Sequence, residues 1–516
     1  MEMWLLIFFS LVLSAVVVAL LLEHGARNRR LPPGPPILAI LGNYLYHRWF
    51  LLKPEDVLRE LHARYGPIIT VRLDLQPTIL IADRTIAHKA LVERGAFFSD
   101  RPAPTPAFRL FNGSRHIISS SAYGPIWRLL RRNLTSEILH PARVKLYAGG
   151  RAWVLGVLTQ HLRSQADSHD GVVVPIENFQ FAMFCLLCLM CFGEKLDEKA
   201  VRDIKDAQRS RLLFASKLRV LNFVPCISRH LFRNRLKTAM EMGERRTQLY
   251  LPLIEARKRY KQQHLQKMTS SKEKERFVVS YVDSLLDIEL PEEGGRKLSD
   301  NEVVSLCSEF LTGGTDTTST ALQWIMANLV KHQGIQAKLW EEIERAAAGS
   351  GEEEDIKAED LQKMPYLKAV IMEGLRRHPP AHFLPPRAVT EDVSLCGYLI
   401  PREATVNFFV AGMNWDEKAW EEPMEFKPER FLGIEGGAVD ITGSREIKMM
   451  PFGAGRRICP GLGLARLHLQ YFVANLVRRF EWKAVEGEEV DLSEKVEFAV
   501  VMKNPLRARL IPRRKT

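Results

Sequence analysis

At 516 residues with 46% apolar side chains, the chain can bury a large core and is too apolar to be disordered. A formal charge of +12 leaves an acidic protein, an anionic membrane surface or a nucleic acid as the partners to weigh. Seven cysteines, an odd number in so long a chain, argue against a disulfide framework and fit a reducing compartment.

The first element is apolar. Met3 to Leu22 carry no charge, and about twenty such residues span a bilayer as a helix. A cleaved signal peptide would start basic, hold a shorter apolar stretch and end in a small-x-small site. This chain starts Met1-Glu2 instead. Arg27, Arg29 and Arg30 follow, and basic flanks stay in the cytosol. Residues 1–30 are therefore expected to be an uncleaved single-pass anchor with its basic flank, in the endoplasmic reticulum membrane. Residues 31–36, "LPPGPP", predict a stiff, non-helical hinge between membrane and body. No low-complexity linker or solenoid-period repeat divides the remainder, so 37–516 is expected to be a single cytosolic catalytic domain.

That body reads as mainly α with small β-sheets. "PIITVRL" (67–73) and "TILIA" (78–82) predict an early sheet, and "GYLIP" (397–401) with "TVNFFV" (405–410) a second strand group. "CLLCLMC" places Cys185, Cys188 and Cys191 at iron–sulfur-like spacing, but the fourth cysteine is missing and apolar residues fill the gaps, so a buried helix is the better reading. The basic stretch from Arg257 to Arg276 reads as a helix end and solvated loop without function. Asn112-Gly113-Ser114 and Asn133-Leu134-Thr135 are glycosylation sequons that a cytosolic domain leaves bare.

One helix stands apart. "SDNE" at Ser299–Glu302 fits a capping box, and helix-forming sequence continues to Lys331, on the order of 45 Å. In its middle lies "GGTDTTST" (313–320), whose glycines and hydroxyls disfavour a regular helix. Either the helix kinks there, or it opens to place a hydroxyl and a carboxylate where a ligand approaches the backbone. Downstream, Glu373 and Arg376 share a helix face and can pair, with Arg430 of "FKPERF" as a third member. A buried pair needs such further partners to offset its desolvation.

Near the C-terminus comes "FGAGRRICPG" (452–461), a cysteine on a glycine-rich, basic loop. Taken alone, Cys459 is a nucleophile, a zinc ligand, a redox thiol, an axial haem ligand or a plain buried side chain.

The order of these features decides among them. The proline hinge, Trp127 four residues before Arg131, "GGTDTT", Glu-x-x-Arg, "PERF" and "FGAGRRICPG" together resemble a cytochrome P-450, a haem-thiolate monooxygenase, across essentially the whole chain. The hinge, "KPERF", "RRNLTSEILHPARVK" and "REIKMMPFGAGRR" are similar to plant microsomal A-type members, family 89 subfamily A. The cysteine loop matches the family signature at Phe452, Gly455, Arg457, Cys459 and Gly461.

The resemblance implies a cytochrome P-450 fold with one N-terminal transmembrane helix and heme b (iron protoporphyrin IX) as cofactor. It makes Cys459 the proximal thiolate ligand of the iron, which favours O–O cleavage. Trp127, Arg131, Arg387 and Arg457 become propionate contacts, some relatives having histidine at the Arg387 position. Glu373, Arg376 and Arg430 become a buried triad that braces the cysteine loop. Gly313 and Gly314 open the groove for dioxygen, and the usual alanine at Gly313 would make that groove tighter. Thr317 hydrogen-bonds the oxygen under activation and Asp316 links it to solvent protons. Relatives that rearrange peroxides tend to lack that pair, so monooxygenation is favoured over isomerase or dehydratase chemistry.

The expected function is insertion of one oxygen atom of O2 into a small lipophilic plant metabolite, with electrons from NADPH. The partners expected are an NADPH-cytochrome reductase and membrane lipid. No nucleic acid is expected, because no recognition motif or aromatic platform accompanies the positive charge. Residues 100–122 and 378–388 with Phe310 are expected to line the substrate pocket. The alternative is a haem-binding protein without turnover, which would have no use for the Asp316–Thr317 pair.

Overall fold

The computed structural model describes residues 30–36, 54–71, 76–104, 116–215, 217–218, 232–267, 278–348, 354–433 and 439–513. The anchor expected at Met3–Leu22 lies outside them. Among the described residues no helix is long and apolar enough to cross a membrane.

In chain order the elements used below are α1 (Pro54–Tyr65), β1 (Ile68–Val71), β2 (Thr78–Ile81), α2 (Pro125–Asn133), α3 (Ala148–Ser168), α4 (Ile176–Phe192), α5 (Glu198–Ala215) and α6 (Arg233–Lys267). They continue with α7 (Asp300–Lys331), α8 (Gln333–Ala346), α9 (Pro365–Arg377), β3 (Arg387–Ala388), β4 (Thr405–Phe408), α10 (Leu462–Arg479), β5 (Phe480–Lys483), β6 (Glu494–Val496), β7 (Val500–Met502) and β8 (Ala508–Pro512). Helices dominate and the sheets are small, as the sequence predicts. The residues form two compact units, each assembled from three stretches of chain.

The first unit holds Met1–Pro102, Ala381–Met424 and Val439–Cys459. Its sheet has the order β1-β2-β4-β3. β1 and β2 pair antiparallel with Thr70 opposite Ile79, and β2 runs parallel to β4 with Ile79 opposite Val406. Ile69, Ile79, Ile81, Val406 and Phe408 are completely buried, as expected of β-branched and aromatic residues on a covered sheet. The second strand group therefore resolves differently from the expectation. Tyr398–Ile400 pairs with Val393–Leu395, because Cys396 (φ 51°) and Gly397 (φ 86°) close a two-residue hairpin turn. β4 instead joins the early sheet, a partner that its apolar pattern cannot disclose.

The hinge is non-helical as expected, yet it is fastened to this sheet. Thr70 N–H donates to Pro33 O (2.8 Å) and its Oγ1 to Pro32 O (2.7 Å). A Cβ on Gly34 would lie 1.9 Å from Thr70 O, so glycine alone permits this approach.

The second unit holds Ala103–Pro380, Glu425–Ala438 and Pro460–Thr516. α4 is apolar on all sides and enclosed, which makes it an internal helix. Cys185, Cys188 and Cys191 are buried in it, and among the described residues no cluster of metal-ligating side chains exists. Gly150 of α3 and Gly314 of α7 let Leu189 and Leu187 of α4 pack closely, since a Cβ there would stand 2.6 and 2.5 Å from a leucine methyl. The charged stretch from Arg257 proves partly structural. α6 continues to Lys267, and Arg257 is buried with Nε 3.0 and 2.9 Å from the Asp283 carboxylate oxygens.

Candidate functional site

In the first unit the cysteine loop turns on two glycines with left-handed backbone, Gly453 (φ 70°) and Gly455 (φ 71°). Gly453 N–H donates to Met450 O (2.9 Å), Ile458 N–H to Gly455 O (3.0 Å) and Cys459 N–H to Phe452 O (2.9 Å), folding the loop upon itself. A Cβ on Gly455 would stand 1.9 Å from Leu91 O, so the loop is seated against the backbone of residue 91. Cys459 is partly exposed at the end of this loop, whereas Cys185, Cys188, Cys191 and Cys307 are buried. A conformationally fixed and accessible thiol is what an axial ligand requires; a core cysteine has neither need.

Two buried arginines belong to the same unit. Arg457 is 8% exposed and donates from Nε to Ser99 O (2.6 Å), so it also pins the loop to the chain preceding residue 102. Arg387 is 2% exposed on β3, opposite Val406 of β4. Arg101 Nη1 fixes the approach to it, donating to Pro385 O (2.6 Å) and Pro386 O (2.8 Å). Buried guanidinium groups keep their charge and recognise carboxylates, which matches the propionate edge of a haem. The Ser99 and Leu91 carbonyls carry no sequence signal.

The second unit contains the remaining candidates. Glu373 and Arg376 on α9 are wholly buried, with Arg376 Nε 2.6 Å from Glu373 Oε2 and Nη2 2.8 Å from Oε1. Glu373 Oε1 also accepts from the Lys427 amide (2.8 Å) and from Arg430 Nε (3.4 Å), while Arg376 Nη2 donates to Glu425 O (3.2 Å). The three expected members thus meet, and both carboxylate oxygens accept. Trp127 on α2 is 5% exposed and donates from Nε1 to Ile118 O (2.9 Å), with the Arg131 guanidinium 5.6 Å from its ring centroid.

α7 begins at the expected capping box. Ser299 N–H donates to Glu302 Oε2 (2.7 Å), and Arg296 Nη1 and Nη2 reach the same carboxylate at 2.8 and 2.9 Å. The Arg296 hydrogen bonds, outweighing burial, hold Glu302 down at about 2. The helix then runs unbroken through "GGTDTTST" to Lys331. Its hydroxyls stay within the helix: Thr315 Oγ1 donates to Leu311 O, Thr317 Oγ1 to Gly313 O (both 2.7 Å) and Ser319 Oγ to Thr315 O (2.9 Å). This back-bonding allows a Ser/Thr-rich segment to remain helical. Gly313 faces open space, whereas Gly314 is held small by Leu187. Of the two glycines, Gly313 is the one that leaves room.

Asp316 is 8% exposed, and burial raises its proton affinity above the ordinary carboxylate range against the pull of Arg209. Arg209 of α5 stands beside it and in turn beside Glu497, which follows β6, and neither carries a signal in the sequence. Glu309, one helical turn before Gly313, receives the amides of Ile118 (2.7 Å) and Ser119 (2.6 Å) and so orders one end of the expected pocket lining. Phe310 packs on Tyr281 with ring centroids 5.1 Å apart. The lining expected at residues 105–115, including the Asn112 sequon, falls outside the described residues.

A family model described as Cytochrome P450 matches residues 32–511. Over their full lengths the chain and "Cytochrome P450 89A9" of Arabidopsis thaliana are 47% identical. A "Geraniol 8-hydroxylase" of Catharanthus roseus is 30% identical across 93% of this chain and 94% of its own. Among solved structures, a zebra fish cytochrome P450 with progesterone aligns at TM-score 0.71, covering 90% of this chain and all of the other at 21% identity, a likeness of fold. Haem b is the cofactor of these enzymes, and the accessible Cys459 on its glycine-braced loop, with Arg387 and Arg457 buried in the same unit, fits it. With the match running from the proline hinge to the last strand, the chain belongs to the cytochrome P450 family.

Proposed function

We propose that the protein is a haem-thiolate monooxygenase that inserts one oxygen atom of O2 into a small lipophilic plant metabolite, with electrons from NADPH delivered by a membrane reductase. Haem b held by the Cys459 thiolate supplies the activation of dioxygen. In the first unit Arg387 and Arg457 would hold its propionates; the resemblance adds Trp127 and Arg131, and the Glu373–Arg376–Arg430 triad would keep the second unit folded. The observation that carries the reading is the adjacent pair on α7: a threonine hydroxyl one turn from the open side of Gly313, followed back by a buried carboxyl of raised proton affinity.

Thr317 Oγ1, bonded to Gly313 O at rest, turns its proton toward a ligand lying beside Gly313. The Asp316 carboxyl takes replacement protons from solvent. A haem carrier or gas sensor needs neither step. The names of relatives such as the geraniol 8-hydroxylase support a lipophilic plant substrate. The uncharged Met3–Leu22 and the +12 charge support an anchor in the endoplasmic reticulum, contact with anionic lipid and docking of an acidic reductase.

The test is Thr317→Ala in the reconstituted enzyme. A positioned proton donor contributes about 10²–10⁴-fold. The variant should bind haem and consume NADPH, with product per NADPH falling steeply and peroxide rising. Wild-type coupling in that variant on a true substrate would overturn the reading.

A further inference from the structure

Arg209 stands between two carboxylates. Its Nη1 lies 3.9 Å from Asp316 Oδ1 and its Nη2 3.5 Å from Glu497 Oε2. Both separations exceed a hydrogen bond, so the guanidinium is shared and closed on neither. The two acids differ in setting. Asp316 sits on the body of α7, whereas Glu497 lies on the three-residue tip between β6 and β7.

That tip is fixed. Glu497 N–H donates to Ala499 O (3.0 Å), and Lys495 Nζ holds the other carboxylate oxygen, Oε1, at 2.8 Å. Behind it, Trp324 of α7 donates from Nε1 to Val500 O (2.8 Å), and Val500 N–H donates to Pro380 O (2.9 Å). His378, stacked on Trp324 with centroids 4.1 Å apart, contacts Glu494 Oε1 through Nδ1 at 3.3 Å. The hairpin is thereby bound to the helix that carries Asp316. Arg209, a long side chain still 38% exposed, is the movable member.

An arginine closed on a carboxylate with two parallel bonds keeps it ionised and opposes proton exchange. A second anchored carboxylate opposes that closure. We infer that Glu497 is a positioning residue for the Asp316 carboxyl: it shares Arg209, prevents a closed Arg209–Asp316 pair and keeps Asp316 able to take up and release a proton. Among the described residues the charged groups that act on Asp316 are Arg209 and Lys205 on α5 and Glu497 on the hairpin. Burial and Glu497 favour the protonated acid; Arg209 and Lys205 oppose it. This deepens the proposed relay and rests on it.

The experiment titrates Asp316 in the resting holoenzyme through the infrared carbonyl band of its protonated carboxyl, assigned by loss in Asp316→Asn. In Glu497→Gln, Arg209 closes on Asp316 and the midpoint should move to lower pH by about one unit or more. In Arg209→Gln it should move to higher pH. Product per NADPH in Glu497→Gln should fall as pH rises, at a lower pH than in wild type. Opposite displacements in two variants of one contact network are not the result of general loosening. An unmoved or raised midpoint in Glu497→Gln, equal displacements in both variants, or no band assignable to Asp316 would each overturn the inference. The titration needs no turnover, so it stands apart from the monooxygenase reading. Unmoved midpoints together with an uncoupled Thr317→Ala would sink the role of Glu497 alone.

Discussion

Glu373→Gln preserves shape at an ion pair wholly enclosed in the second unit and removes only its charge. Glu373 and Arg376 side chains have no exposure, and the carboxylate accepts from Arg376 twice, from the Lys427 amide and from Arg430. The glutamine amide turns a donor toward other donors and leaves the Arg376 guanidinium buried without its counter-charge. Breaking one partner of such a pair costs about 3–5 kcal/mol. Native stabilities are about 5–15 kcal/mol, so the substitution removes a large share of the total and lowers the folding equilibrium constant by about 10² or more. Arg430→Gln should cost less, because its contact with Glu373 is 3.4 Å and its side chain is 10% exposed. Glu429→Gln on the same turn is the control: its side chain is 53% exposed against Lys338, and such a pair contributes about 0–1 kcal/mol. The assay is carbon monoxide-binding pigment per mole of purified polypeptide, with urea midpoints for whatever folds. A Glu373→Gln enzyme within about 1 kcal/mol of wild type, or a Glu429→Gln enzyme equally damaged, would refute the reasoning.

Gly455→Ala should abolish haem-loaded protein, because backbone at Leu91 blocks the new methyl and φ is +71°. Gly463→Ala, at an open position within α10, should be neutral or stabilising by up to about 1 kcal/mol, and the two yields measured side by side check both. Burial lowers His378 from 6.5 to about 4, so the fold accommodates the neutral ring. Its contribution is complete above pH 6.5 and is lost as pH falls through about 4, by about 3 kcal/mol in all. His378→Gln loses the Trp324 stack at every pH, but the slope of its urea stability between pH 6.5 and 4 should be flatter than that of wild type.

What the sequence disclosed was local. The Ser299–Glu302 cap, the end of α7 at Lys331, the glycine turns before Cys459 and the three-apart pairing of Glu373 with Arg376 are each written within a few residues, so short-range geometry suffices. The apolar gaps around Cys185, Cys188 and Cys191 likewise announced a buried helix. What it hid depends on distant chain. The parallel partner of β4 has no local mark, and the proline hinge gave no sign that Thr70 would hold it. Arg257 looked solvated among its basic neighbours because its partner, Asp283, lies across an intervening stretch. The Asn133 sequon is engaged within the fold, its Nδ2 donating to Ser284 O (3.2 Å). At the site, a long apolar helix with "GGTDTT" pointed to Asp316 and Thr317. Nothing nearby pointed to Arg209 or Glu497, which only the packing of α5 and the β6–β7 tip brings to that carboxyl.

The central claim is that Cys459 is the thiolate ligand of a haem. Purified full-length protein, reduced by dithionite and exposed to carbon monoxide, should give the strongly red-shifted Soret band of thiolate ligation. Cys459→Ala should lose that band while Cys396→Ala, at an exposed hairpin turn, keeps it in full. A band that survives Cys459→Ala, or a wild-type enzyme whose carbon monoxide complex absorbs where neutral-ligand haem proteins do, would contradict the account.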